Sequence, residues 1–218
     1  YGPGPFWGRE PDLALPTYGG HLTQVADLNG DGWLDILFSS NRADGEGWDG
    51  WLVIYWGSEG GFDSTNATAL RVNNNWESQV ADLNRDGWLD IVAACGKDDV
   101  GYYTYDKIFW GPGFSKVSLL PGIGSSNVSI ADLNKDGVLD IVLSNWATGT
   151  HGNETLAVYS FVRYGPDYIW GPVDSLFGWG AHGNLVADFN DDGWPDVFLG
   201  CEMTSWGVFA ETSYVYWG

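Results

Sequence analysis

The sequence has few basic residues. Only 9 of its 218 residues are Lys or Arg, against 29 Asp or Glu, so the formal net charge is −20. Nucleic-acid-binding surfaces need clusters of Lys and Arg, and anionic membrane surfaces attract the same residues. We therefore expect neither as a partner. No apolar run approaches the roughly 18 residues that a membrane-spanning helix needs, so we also expect no membrane span.

Stretches long enough for helices are scarce, because 32 Gly and 9 Pro residues are spread along the chain. This pattern favours an all-β protein with many turns. A disordered acidic segment is excluded, since such segments are poor in apolar residues, whereas 44% of this chain is hydrophobic and 16% aromatic. The sequence thus predicts a folded chain whose carboxylates serve a specific purpose.

What the chain does contain is a repeated motif, Asp-x-Asn-x-Asp-Gly-x-x-Asp. Its four copies lie 50 to 56 residues apart, and Trp-Gly pairs recur between them. Short segments rich in β-branched and aromatic residues follow each copy, which is typical of a radial or linear array of small antiparallel sheets. We predict a single repeat domain over residues 1–218, with repeats at approximately 9–57, 58–111, 112–171 and 172–218.

The motif has the spacing of a calcium-binding loop. Side-chain oxygens at positions 1, 3, 5 and 9 and the main-chain carbonyl of position 7 can converge on one ion, and Gly at position 6 permits the sharp turn. Magnesium is less suited, because it retains its waters and demands a stricter octahedron. We therefore predict about four calcium ions per chain. The predicted ligands are Asp27, Asn29, Asp31, Trp33 and Asp35; Asp82, Asn84, Asp86, Trp88 and Asp90; Asp132, Asn134, Asp136, Val138 and Asp140; and Asp188, Asn190, Asp192, Trp194 and Asp196.

Two other interpretations of the motif were weighed. Asp, Asn and Gly also form ordinary turns without a metal, but four complete copies favour the metal. An EF-hand loop opens with the same pattern and needs Glu at position 12 between flanking helices. Position 12 is apolar in all four copies, and apolar strand-like segments follow, so the EF-hand is excluded.

The motif, together with the Tyr-Trp-Gly-x-x-Gly-Gly-Phe segment at 55–62, resembles the FG-GAP or VCBS repeat of integrin α subunits and many secreted proteins. The resemblance covers nearly the whole chain in four units. It implies an all-β, β-propeller-like array of four blades, each with a calcium loop between its first two strands. Relatives usually close a ring of seven blades, so these four could close a smaller ring, belong to a larger one, or stack between chains.

Five Trp-Gly pairs that follow an aromatic or aliphatic residue accompany only four aspartate motifs. Residues 1–8 are therefore predicted to be the leading strand of a preceding or closing blade. They could pair with the last blade and close a ring, or add a strand to a neighbouring chain and join subunits head to tail.

Cys95 and Cys201 occupy equivalent places in the second and fourth repeats. A disulfide is expected in an exported protein, but alternate blades are unlikely to bring the two Cα atoms within the necessary 7 Å or so. We hypothesise a bond between chains, with two free thiols as the alternative. Asn66, Asn127 and Asn153 fit the N-glycosylation acceptor pattern and modestly favour an extracellular setting.

No motif for a hydrolase, a phosphate loop or a zinc site is present, so we expect no enzymatic activity. We predict a secreted or cell-surface structural or adhesive protein whose partners are other copies of itself or extracellular protein or glycan ligands, and whose copies could form a filament. The alternative is a lectin, in which aromatic residues at 45–51 and 102–105 stack on sugars. Trp33, Trp88 and Trp194 are instead expected to pack against adjacent blades.

Overall fold

The computed structural model describes residues 10–17, 19–41 and 48–218. These residues form strands, turns and loops with no helix. Accordingly, none of them belongs to a helix that could span a membrane. The predicted leading strand at 1–8 lies outside the described residues.

The described residues form 19 strands. Their bounds are β1 Gly20–Ala26, β2 Asp35–Ser40, β3 Asp49–Tyr55, β4 Ala67–Asn73, β5 Asn75–Ala81, β6 Asp90–Cys95, β7 Tyr105–Trp110, β8 Lys116–Pro121, β9 Ser125–Ala131, β10 Asp140–Asn145, β11 Thr148–Thr150, β12 Asn153–Thr155, β13 Ala157–Arg163, β14 Val173–Trp179, β15 Ala181–Ala187, β16 Asp196–Cys201, β17 Met203–Ser205, β18 Val208–Phe209 and β19 Tyr214–Tyr216.

The strands pair antiparallel into four larger sheets in chain order. The first sheet has the order β1-β2-β3-β4, the second β5-β6-β7-β8, the third β9-β10-β13-β14, and the fourth β15-β16-β19. Two small hairpins, β11-β12 and β17-β18, lie between strands of the third and fourth sheets. The prediction of an all-β chain built from small antiparallel sheets is confirmed.

Each aspartate motif forms the loop between the first and second strands of its sheet. The apolar residues that follow the motif form a second strand at the centre of its sheet. In β6, for example, every residue from Asp90 to Cys95 is buried, because neighbouring sheets cover both faces. This explains why these strands are continuously apolar and do not alternate with polar residues.

The sheets stack face to face through three apolar cores. Leu37 and Ile54 of the first sheet pack with Ile91 and Phe109 of the second. The second and third sheets share another core, and the third and fourth share a smaller one. Among the described residues no such core joins the fourth sheet to the first.

The last strand of one sheet leads almost directly into the first strand of the next. Only Asn74 separates β4 from β5, and only Gly180 separates β14 from β15. In the first three sheets, the fourth strand follows the Trp-Gly or Tyr-Gly pair of that sheet. The first strand of the next sheet begins soon after this fourth strand ends.

Candidate metal loops

The first motif loop, residues 27–35, is closed by its own side chains. The Asp27 carboxylate accepts hydrogen bonds from the amide N–H groups of Asp31 at 3.1 Å and Gly32 at 2.8 Å. Asn29 Oδ1 also accepts from Asp31 N–H, at 2.9 Å, and Asp31 Oδ1 accepts from Trp33 N–H at 2.8 Å. The second and fourth loops repeat all four bonds. The oxygens at positions 1, 3 and 5 therefore turn toward the backbone of one tight loop.

Positive φ angles at two positions make this loop possible. At position 4, φ is between 57° and 70° at Gly30, Arg85, Lys135 and Asp191, and at position 6 glycine has φ of 84° to 90° in all four loops. L-residues tolerate the smaller angle at a modest cost, whereas the larger one favours glycine. This accounts for the invariance of position 6 among the four copies and the variety at position 4.

The aspartate at position 9 has a role that the spacing alone did not reveal. Asp35 is fully buried; its Oδ2 accepts from Leu28 N–H and its Oδ1 from Gly57 N–H, both at 2.8 Å. Its equivalents Asp90, Asp140 and Asp196 make the same two bonds. Burial raises the pKa of Asp35, against the effect of these N–H groups. This carboxylate therefore ties the loop to the glycine that ends the third strand.

That glycine is required by a close backbone approach. A Cβ atom on Gly57 would lie 2.2 Å from Leu34 O, and one on Gly111 would lie 2.5 Å from Leu89 O. In three of the four units this glycine belongs to a Trp-Gly pair, whose amide must reach the position-9 carboxylate; in the third unit it is Gly165, which follows Tyr164. The sequence signal for this bond is the nearly constant distance from each position-9 aspartate to the glycine that follows the third strand.

The loops carry an excess of negative charge. In the part of the chain that the structure describes, the ion pairs are Arg71 with Asp49 and His151 with Glu154, so none involves a loop aspartate. In the third loop, Asp132 Oδ1 is buried and has no hydrogen-bond partner. A carboxylate oxygen without a donor is costly to bury, and a cation would satisfy it. The residues present therefore fit a divalent cation with oxygen ligands.

The ligands are not already gathered around one point. Within 10–17, 19–41 and 48–218, no three His, Cys, Asp or Glu side chains are arranged as a metal site. In the first loop, the oxygens of Asp27, Asp31 and Asp35 are bonded to N–H groups, and each keeps a further lone pair. Asn29 Oδ1 and the Trp33 carbonyl complete the predicted set. An ion would compete with the N–H groups for these oxygens.

Neighbouring motif loops touch each other through position 7. The Trp88 ring packs so closely on Gly30 that a Cβ there would lie 2.8 Å from Cζ3. Lys135 Nζ lies 4.0 Å from the centre of the Trp194 ring. The prediction that these tryptophans pack against adjacent units is confirmed for Trp88 and Trp194. A change in one loop should therefore be felt by the next.

The two cysteines are free thiols, so the disulfide that export favours does not form within the chain. The Cys95 side chain is fully buried, and this burial raises its pKa to about 12. Cys201 is partly buried, and burial raises its pKa also. Because Cys95 lies inside a core, an interchain bond at that residue would require local opening, and the interchain bond stays a prediction.

The three glycosylation candidates differ in exposure. Asn66 and Asn153 are exposed, in keeping with an acceptor role. Asn127 is partly buried, and its Oδ1 accepts from Asn184 N–H at 3.1 Å, across the boundary between the third and fourth sheets. A glycan is attached through Nδ2, so a glycan on Asn127 would have to be accommodated at this partly buried boundary.

Histidines and aromatic residues gather at the start of the first strands. The rings of His21 and Trp76 lie 4.8 Å apart, and those of Trp76 and His182 lie 5.3 Å apart. The strands have a register shift at these places, which aims the extra residue out of its sheet. Sequence spacing missed this cluster, because its members are equivalent residues of different repeats.

The aromatic residues proposed to bind sugars are only partly available. Trp48 is covered by Lys97 Nζ, which lies 3.5 Å from its ring centre, and Tyr102 is buried. Tyr103 and Tyr105 are 61% and 53% exposed. Of the two aromatic segments, the one at 102–105 therefore offers free ring faces.

Comparison with known proteins agrees with this geometry. A family model described as an FG-GAP-like repeat matches residues 27–93 and 82–143, which together cover more than half of the chain. Integrin alpha-6 of Homo sapiens is 32% identical over 92 residues, covering 38% of this chain and 8% of that protein. The chain thus spans a small part of that relative.

Proposed function

The chain belongs to the FG-GAP-like repeat family, and on that basis we propose that it is a non-catalytic, extracellular module with a structural or adhesive role that binds calcium in its four motif loops. Similarity to part of an integrin alpha chain supports the extracellular and adhesive setting. The four larger sheets would be four blades, and the partners would be other copies of the chain or extracellular ligands.

The observation that carries the calcium proposal is the buried, unpartnered Asp132 Oδ1 in a loop whose pattern occurs four times. In each loop the side chains at positions 1, 3, 5 and 9 and the carbonyl at position 7 would hold the ion. When bound, the ion neutralises carboxylates that otherwise repel one another. The loop residues supply the oxygens, the turn and the link to the third strand.

Calcium should stabilise the folded chain, because the unfolded chain does not hold the ligands together. Thermal unfolding would be followed with excess calcium and then with excess chelator. We expect chelation to lower the melting temperature, and Asp132→Asn to reduce the number of bound ions by about one. The exposed Asp99 lies outside the loops, so Asp99→Asn is the matched control. An identical melting curve with and without chelator would contradict the proposal.

Carbohydrate binding is a second candidate, which the exposure of Tyr103 and Tyr105 supports. Exposed tyrosine rings can stack on the apolar faces of sugars. A glycan array probed with calcium-loaded protein tests it. Binding that Tyr103→Ala and Tyr105→Ala abolish would favour the lectin, and an array without signal would leave the structural role as the proposal.

A further inference from the structure

The described fourth sheet has three strands. The first three sheets have four strands each, whereas the described fourth sheet ends with the edge strand β19. Its outward face is also apolar and open. Val215 of β19 is 40% exposed, but its counterparts in the other third strands, Ile54, Ile108 and Val162, are at most 3% exposed. Those three residues lie in the cores shared with the next sheet.

The first sheet has the complementary open face. Val25 of β1 is 55% exposed. Val25 lies two residues before its motif, and the residues at this place in the later units are Val80, Ile130 and Val186. Each of these three packs against the core shared with the preceding sheet. The first sheet thus presents the surface that, in the other three sheets, is covered by a preceding sheet.

Residues 10–16 lie where the last strand of such a preceding sheet would run. The Tyr55 hydroxyl donates a 2.6 Å hydrogen bond to Pro16 O, four residues before β1 begins. In each of the other three sheets, a side chain of the third strand also donates to the carbonyl four residues before the first strand of that sheet. The pairs are Lys107 with Arg71, Arg163 with Pro121, and Tyr216 with Phe177. Arg71, Pro121 and Phe177 each belong to the fourth strand of the preceding sheet.

A cavity of about 350 Å³ lies between the third and fourth sheets; Leu133, Trp194 and Trp217 are among its lining residues. Leu28 and Leu83 are equivalent to Leu133 in the first and second loops. At each of these residues, an aromatic ring from the following sheet, in the loop after its third strand, packs nearby. Phe114 shares a core with Leu28, and the Tyr168 hydroxyl donates to Leu83 O.

We propose that the fourth sheet of one copy docks on the first sheet of a second copy, whose residues 10–16 add a fourth strand to it. The inference rests on the structural role proposed above and names its partner. Within one chain the described residues 10–17 pair with no strand of the fourth sheet. The same sheet-on-sheet arrangement already occurs three times inside the chain. Such a contact joins two different surfaces, so copies associate head to tail.

The register of the added strand follows from the other sheets. Ile54, Ile108 and Val162 pair with Thr68, Ser118 and Asp174, each seven residues before the next first strand. The residue seven before β1 is Leu13. Val215 of one copy therefore lies opposite Leu13 of the second copy.

Sedimentation velocity over a range of concentrations tests the proposal. Wild-type protein is expected to form species larger than a monomer as concentration rises. Val215→Asp removes one surface and Val25→Asp the other, so each variant alone stays monomeric. A mixture of the two retains one working contact and forms dimers but nothing larger. Val117→Asp is the matched control, because Val117 is also on an edge strand and is 42% exposed; it associates like wild type.

Cysteine cross-linking tests the register. In a background with Cys95→Ala and Cys201→Ala, a copy with Leu13→Cys and a copy with Val215→Cys are oxidised together, and a covalent dimer is expected. Replacing Leu13→Cys by Leu119→Cys should give none. Three results would each overturn the proposal. Wild-type protein could stay monomeric at all concentrations, the mixture of Val25→Asp and Val215→Asp could stay monomeric, or Val25→Asp alone could form dimers. Calcium binding by Val25→Asp is measured in parallel, so failure of the contact is distinguishable from failure of the calcium proposal.

Discussion

The buried carboxyl group of Asp106 should make the stability of this protein depend on pH. Its Oδ1 accepts from Cys95 N–H and its Oδ2 bonds the Ser125 hydroxyl, both at 2.8 Å. Burial raises the pKa of Asp106 to about 7, although both hydrogen bonds and the charge of Arg163 act to lower it. In an unfolded chain the pKa of Asp is about 3.9.

Between about pH 4 and pH 7, the folded chain holds a proton on Asp106 that the unfolded chain has released. The stabilising contribution is therefore complete below about pH 4 and is lost as the pH rises through about 7. One unit of pKa corresponds to about 1.4 kcal/mol, so the free energy of unfolding should fall by up to about 4 kcal/mol across this window.

Asp106→Ser should abolish this dependence, because serine has no charge to bury. The third and fourth sheets already have serine at this place: Ser160 and Ser213 accept from the N–H groups of Asn145 and Cys201, each at 3.2 Å. Urea unfolding at several pH values between 4.5 and 8, in saturating calcium, gives the difference between variant and wild type. We expect that difference to shift in favour of Asp106→Ser as pH rises.

The exposed Asp99 provides the control, and Asp99→Ser should retain the wild-type slope. The motif loops are identical in both proteins, so the comparison isolates Asp106. If wild type and Asp106→Ser lose stability in parallel from pH 4.5 to 8, the reasoning from burial is refuted.

Three further outcomes are expected. Gly111→Ala should lower the free energy of unfolding by more than about 2 kcal/mol, because the new Cβ would meet Leu89 O. Gly183 has open space around it, so Gly183→Ala should change the free energy of unfolding little. Urea unfolding of the two variants and wild type measures the difference. A thiol reagent should modify Cys201 before the fully buried Cys95 in folded protein, as peptide mass analysis will show, and equal rates would contradict this order. In a glycosylating host, glycans should occupy the exposed Asn66 or Asn153 and spare the partly buried Asn127, and a modified Asn127 peptide would contradict this order.

The sequence was sufficient to predict what depends on local spacing. Four copies of one motif located the loops between first and second strands, and glycine at position 6 predicted the positive φ found at Gly32. Apolar segments after each loop predicted strands, because their β-branched and aromatic residues favour a sheet. These features involve residues close together in the chain.

Contacts between distant residues could not be predicted in the same way. The bond from Gly57 N–H to Asp35 spans 22 residues, and the bond from Tyr55 to Pro16 spans 39. The first pair is marked only by a spacing that recurs between units, and the second pair has no motif of its own. Whether the fourth sheet meets the first also depends on how successive sheets rotate, which no short pattern encodes. Burial of Asn127 likewise follows from packing between sheets and not from its acceptor triplet.

The most direct test of the calcium proposal is the number of ions that the folded chain binds. Calcium-free protein would be titrated with calcium in a calorimeter, alongside the variant Asp132→Asn. We expect saturation at about four ions per chain for wild type, and about three for the variant. A titration without saturable binding, or one whose stoichiometry Asp132→Asn leaves unchanged, would contradict the assignment of the four aspartate loops as calcium sites.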